Sequence, residues 1–158
     1  MIIRVLDYLG ESASKTPVVA ASESTDEWIR SSLGEAEELL AAVRRNHQGE
    51  SPSVHEETCR AKLSQLYGNY SVAIQRWDNL LDHTNSGRAS IRRQIMWAYL
   101  TRKDRNWQSL DDREIKRIVA LLSENIDEDV KSEIDYRHWL RAIRFLPQSM
   151  GLDAVIEK

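Results

Sequence analysis

One cysteine, three prolines and a single phenylalanine in 158 residues rule out several classes of protein at the start. Cys59 has no second cysteine to pair with, and nothing near it has the Cys/His spacing of a zinc site, so neither a disulfide-stapled scaffold nor a zinc module is expected. With only six glycines the chain is not collagenous or low-complexity. No apolar run approaches the roughly 20 residues that span a bilayer, and residues 1–9 are too short and too charged for a signal-peptide core. The expectation is a soluble, cytoplasmic protein with no membrane partner.

Catalytic signatures are missing as well. There is no glycine-rich phosphate loop, no Gly-x-Ser-x-Gly elbow, no His-Glu-x-x-His and no cysteine pair. His47, His55, His83 and His138 never stand three or four apart, so no helix-borne metal site is expected. Asp111 and Asp112 stand where a helix N-cap belongs, and residues 127–129 precede the next expected helix, where negative charge favours the dipole. The carboxylates therefore read as caps, and no catalytic residue, metal or cofactor is assigned.

What is present is helical patterning. The length suits one domain, residues 1–158, with apolar residues at 41% and charged residues at 30%, enough of each for a core and a solvated surface. Net charge is only −3 but polarised: residues 1–58 hold five Lys/Arg against eleven Asp/Glu, while residues 88–105 hold six against one. Ile2, Val5, Leu6 and Leu9 predict a short first helix, residues 10–24 a loop, and Ile29, Leu33, Ala36, Leu40 and Val43 a long helix opened by a Ser24/Glu27 capping box. These form an N-terminal part, residues 1–50.

From residue 51 onward the spacing predicts helices over 53–67, 69–83, 88–103, 111–125, 129–146 and from about 150. Pair starts near 53, 88 and 129 give a period in the range of helical solenoid repeats. Tyr70, Ala73, Ile74, Trp77, Leu80 and Leu81 share one face, and so do Ile115, Ile118, Val119, Leu122 and Ile126. Residues 95–100 are apolar almost all round, which predicts the most buried segment. Val130, Ile134, Tyr136, Leu140 and Ile143 are the expected core face of a further helix. Leu152, Val155 and Ile156 begin a last helix that is either a natural cap or the cut end of a longer array, the second being preferred.

Gly68, Tyr70, Ala73 and Trp77 stand in the order of the second half of a tetratricopeptide repeat, which this segment resembles. The resemblance covers about sixteen residues, and it implies an all-α fold of stacked antiparallel helix pairs, a tetratricopeptide-like solenoid with one or two extra N-terminal helices. Residues 136–147 look like helices of repeat arrays in larger bacterial defence and signalling proteins, which implies that the chain is part of such a protein. The implied function is protein–protein interaction in a groove lined by the first helix of each pair. Lys62 and Gln65 on the first pair, with Arg93, Trp97, Arg137 and Arg141 on later ones, are the groove residues, and their charge predicts an acidic peptide or partner surface. Arg137, Arg141 and Arg144 form a basic stripe at i, i+4, i+7.

Three alternatives stand beside this reading, one of them a purely structural spacer between modules of a larger protein. Arg76 and His83 resemble the Arg-x4-6-His motif of HEPN ribonucleases, which implies an RNA-cleaving enzyme with His83 as acid/base and Arg76 as phosphate clamp. Arg88, Arg92, Arg93, Arg102, Lys103 and Arg105 with Trp107 offer a nucleic-acid surface, less favoured because acidic residues interrupt it.

Overall fold

A computed structural model describes the backbone of residues 23–129 and 132–146 and the side chains of residues 31–129 and 132–146. Among the described residues the elements are α1 (Glu23–Asn46), α2 (Val54–Leu66), α3 (Tyr70–His83), α4 (Arg88–Arg102), a 3-10 turn (Trp107–Ser109), α5 (Asp112–Glu128) and α6 (Glu133–Ile143), with no strand. The chain forms two compact units, Met1–Leu80 and Leu81–Lys158. The helix expected over residues 2–9, most of the loop over 10–24, the Ser24/Glu27 capping side chains and the helix expected from 150 lie outside the described residues. No described helix is long and apolar enough to cross a membrane.

In the first unit α1 packs against α2. The expected stripe supplies Leu33, Ala36 and Leu40, which meet Cys59 and Leu63 of α2, with Leu66 at the edge. Ser53 caps α2 by accepting from the Glu56 backbone N–H at 3.1 Å, a contact worth about 1 kcal/mol. Gly68 ends that helix: at φ +76° it lets Gly68 N–H reach the Gln65 carbonyl and Asn69 N–H the Ser64 carbonyl, a Schellman closure that an L side chain would strain. Beyond the turn, Ala73 and Trp77 of α3 are buried, as the spacing predicts. Trp77 Nε1 donates to Gln65 Oε1 at 3.3 Å, and Arg76 pairs with Glu57 at 2.8 Å.

In the second unit α5 packs against both α4 and α6. Ile115, Ile118, Val119 and Leu122 turn inward from α5 and meet Met96 and Leu100 of α4, Trp107, Leu110 and Ala142. Residues 95–100 include four of the most buried side chains, Ile95, Met96, Ala98 and Leu100. Asp111 and Glu114 form the capping box of α5: each side chain accepts from the other's backbone N–H, at 2.8 and 3.0 Å. Glu114 is also the partner of Arg102, so the end of α4 is tied to the start of α5.

Two expectations are corrected. Residues 127–129 do not open the next helix: Asp127 and Glu128 lie in the last turn of α5 and α6 starts at Glu133. The apparent cost of acids at a helix C-terminus is offset because Arg92 binds Glu128. Of the expected core face of α6, Ile134, Tyr136 and Leu140 are turned outward at 62%, 48% and 45% exposure, Ile143 packs against the core, and Val130 lies outside the described residues. Asp135 and Ala142 are the residues that α6 buries, because the Asp135 carboxylate is drawn inward by Arg93.

Candidate partner-binding surface

The basic residues of α4 are largely engaged within the second unit. Arg88 donates to the carbonyls of Leu81 and Thr84 at 2.6 and 3.0 Å. Arg92, only 2% exposed, contacts Glu124 at 2.9 Å, Glu128 at 2.8 Å and the Asn125 side chain at 3.1 Å. Its hydrogen bond holds the Glu128 carboxyl below the usual carboxylate range. Arg93 forks onto Asp135 at 2.8 and 2.6 Å and reaches Ser132 Oγ at 3.3 Å. Burial works against the Asp135 charge, yet hydrogen bonds from Arg93, Ser132 and Asn125 keep its carboxyl below the usual range. Arg92 and Arg93 clasp α4 to α5 and α6, and bidentate guanidinium–carboxylate geometry suits arginine to that work.

Trp107, the aromatic of the expected nucleic-acid surface, is 4% exposed and belongs to the core. It lies 6.4 Å from the His138 ring and 6.3 Å from Phe145, and the half-buried Trp97 meets His138 edge-on at 5.2 Å. Arg141 lies 5.8 Å from the centre of the Trp107 ring, within reach of a cation–π attraction. Burial, and then the Arg141 charge, push the His138 pKa down, so the imidazole is held neutral among these rings.

The outer face of α6 is different in kind. Arg137, Arg141 and Arg144 are exposed along it, with Leu140 between them and Tyr136 and Ile134 at its margins. Arg137 pairs with Glu133, but both side chains are about three-quarters exposed, so water competes with the pair and little holds it. Leu140, 45% exposed amid arginines, gives the face an apolar centre with a cationic rim. The sequence shows the arginine stripe of this face by its spacing, but not the leucine and tyrosine that face outward with it.

Of the six expected groove residues, Trp97, Arg93, Arg137 and Arg141 fall in the second unit, Arg93 in the clasp and the other three around or upon α6. Lys62 and Gln65 fall in the first, where Gln65 accepts from Trp77. Arg76 has its guanidinium on Glu57, and His83 is exposed in the last turn of α3. An open depression of about 420 Å³ in the first unit is lined by Leu40, Ala41, Leu63, Glu37 and three arginines, Arg44, Arg45 and Arg60. Arg60 there is already bound by Glu56 and Glu57. Among the described residues no three His, Cys, Asp or Glu side chains gather as a metal site would need. No protein-family model, no curated protein and no solved structure matches this chain.

Proposed function

We propose that the chain is a non-catalytic interaction module, a tetratricopeptide-like stack of antiparallel helix pairs within a larger cytoplasmic protein, and that it binds an acidic peptide or partner surface. The observation that carries this reading is the outer face of α6, where Arg137, Arg141 and Arg144 surround the exposed Leu140. A polar rim around an apolar centre is how partner surfaces are built, and arginine is enriched in them. Trp97 borders the same helix through His138, while Arg93 contributes by holding α6 in place. Nucleic acid is the weaker alternative, since Arg92, Arg93 and Arg102 of the basic run are bound to carboxylates and Trp107 is buried.

The test is fluorescence anisotropy with a labelled synthetic helical peptide whose one face alternates glutamate and leucine. Binding is expected to weaken steeply as salt rises, and Arg137→Glu with Arg141→Glu is expected to cost about 1.5 to 3 kcal/mol per lost contact. Binding that ignores both salt and these substitutions overturns the reading.

A further inference from the structure

The first unit carries a face of the opposite character. On α1, Glu35, Glu38 and Leu39 are exposed beside the stripe of Leu33, Ala36 and Leu40, Leu39 at 50%, and Val43, at the end of that stripe, is 40% exposed. Read along the helix from its N-terminal side, the exposed residues that matter to this face are Glu35, Glu38, Leu39, Val43 and Arg45. Along α6 they run Glu133, Arg137, Leu140, Arg141, Arg144. We propose that the α6 face docks the α1 face of a second copy of this chain, the two helices antiparallel.

The orientation follows from the charges. Laid antiparallel with Leu39 over Leu140, the helices bring Glu35 towards Arg144, Glu38 towards Arg141, and Arg45 towards Glu133. Laid parallel, they bring Glu35 nearest Arg137 but set Arg45 near Arg144 and Glu133 out of reach of Arg45, a like-charge mismatch at one end. The spans agree too: at about 1.5 Å rise per residue, 35 to 45 and 133 to 144 are both close to 15 Å long. Leu39 and Leu140 are both about half exposed, so a second copy has both available. The contact joins two different faces, so it either closes reciprocally into a dimer or propagates from copy to copy. A single helix-on-helix patch lies at the small end of specific interfaces, so the association is weak and salt-sensitive.

This inference names the partner of the α6 face, and so rests on the reading above. Sedimentation velocity of the whole chain from about 5 to about 500 µM, the range suited to a small interface, reads it directly. Wild type is expected to associate with rising concentration and to dissociate in high salt. The chain with Arg137→Glu, Arg141→Glu and Arg144→Glu, and separately the chain with Glu35→Arg and Glu38→Arg, are each expected to associate at least about tenfold more weakly. Mixing those two chains is expected to restore association, because the reversed α6 of one then meets the reversed α1 of the other. Leu140→Ser, which changes no charge, is expected to weaken association too, and circular dichroism checks that each chain is folded. A wild type that stays monomeric throughout, or a mixture of reversed chains that does not associate, overturns the inference. If that monomer still binds the glutamate-leucine peptide through Arg137 and Arg141, self-association alone has failed; if it binds nothing, the acidic-partner reading falls with it.

Discussion

In the first unit α1 meets α2 through Leu33, Ala36, Leu40, Cys59 and Leu63, all modest aliphatic or sulfur side chains. In the second, three helices close on a larger core that includes Trp107 and Met96, and carboxylate–guanidinium pairs from Arg92, Arg93 and Arg102 bind its helices to one another. The first arrangement depends on shape and area, so it weakens when volume is removed. The second depends in addition on charges brought in from distant positions, so it weakens when a charge is removed or titrated. Pairs of this kind, buried at one end, also fix which face of a helix turns inward, as Asp135 does for α6.

The sharpest break in the first unit is Trp77→Ala. Trp77 is 1% exposed and donates to Gln65, so truncation leaves both a cavity and an orphaned acceptor. A loss of about 3 to 5 kcal/mol in urea unfolding is expected, and a loss under about 1 kcal/mol refutes the packing described. Asp135→Ala tests the second unit and is expected to cost about 2 kcal/mol, less than a fully buried pair because Arg93 is one-third exposed and can rehydrate. Amide exchange should quicken in α4 and α6 and stay unchanged in α1 and α2; equal quickening in both units removes the contrast.

Acid works in the same direction. The Asp135 and Glu128 carboxyls are held below their ordinary range in the folded chain, so their contribution is complete above that range and is lost as pH falls through it towards the folded values. The smallest effect belongs to His138, whose folded pKa is depressed by burial and Arg141. Its contribution is complete above the ordinary imidazole pKa and is lost as pH falls below it. Thermal melts between about pH 7 and pH 5 should show second-unit stability declining, and His138→Gln should flatten that decline. A decline of the same slope in the variant assigns the effect to another group.

The elements that were legible in the sequence are those whose burial repeats locally. The faces of α3 and α5, the Ser53 and Asp111 caps and the buried run from Ile95 to Leu100 all follow from spacings of three and four residues. The facing of α6 was not legible. Pattern reasoning buries Ile134, Tyr136 and Leu140 because they are apolar, whereas the chain buries Asp135, whose partner Arg93 stands 42 positions away. Residues 127–129 misled for the same reason: an acidic trio before a helix looks like a cap until Arg92, from another helix, is seen to hold Glu128. The arginines at 137, 141 and 144 show as a stripe, but an apolar pattern assigns the exposed leucine within it to the core. A long-range pair leaves no period in the sequence, and it was such pairs that decided which side of α6 faces water.

Cys59 is the only thiol in the chain, 1% exposed in the core of the first unit, with its pKa raised chiefly by burial. A thiol and solvent meet there only when α1 and α2 part, because a buried, protonated sulfur is a poor nucleophile. An alkylating reagent therefore consumes the protein at the rate of that opening multiplied by the reactivity of a bare cysteine. The molecule thus contains a chemical clock that ticks for one unit and is silent for the other.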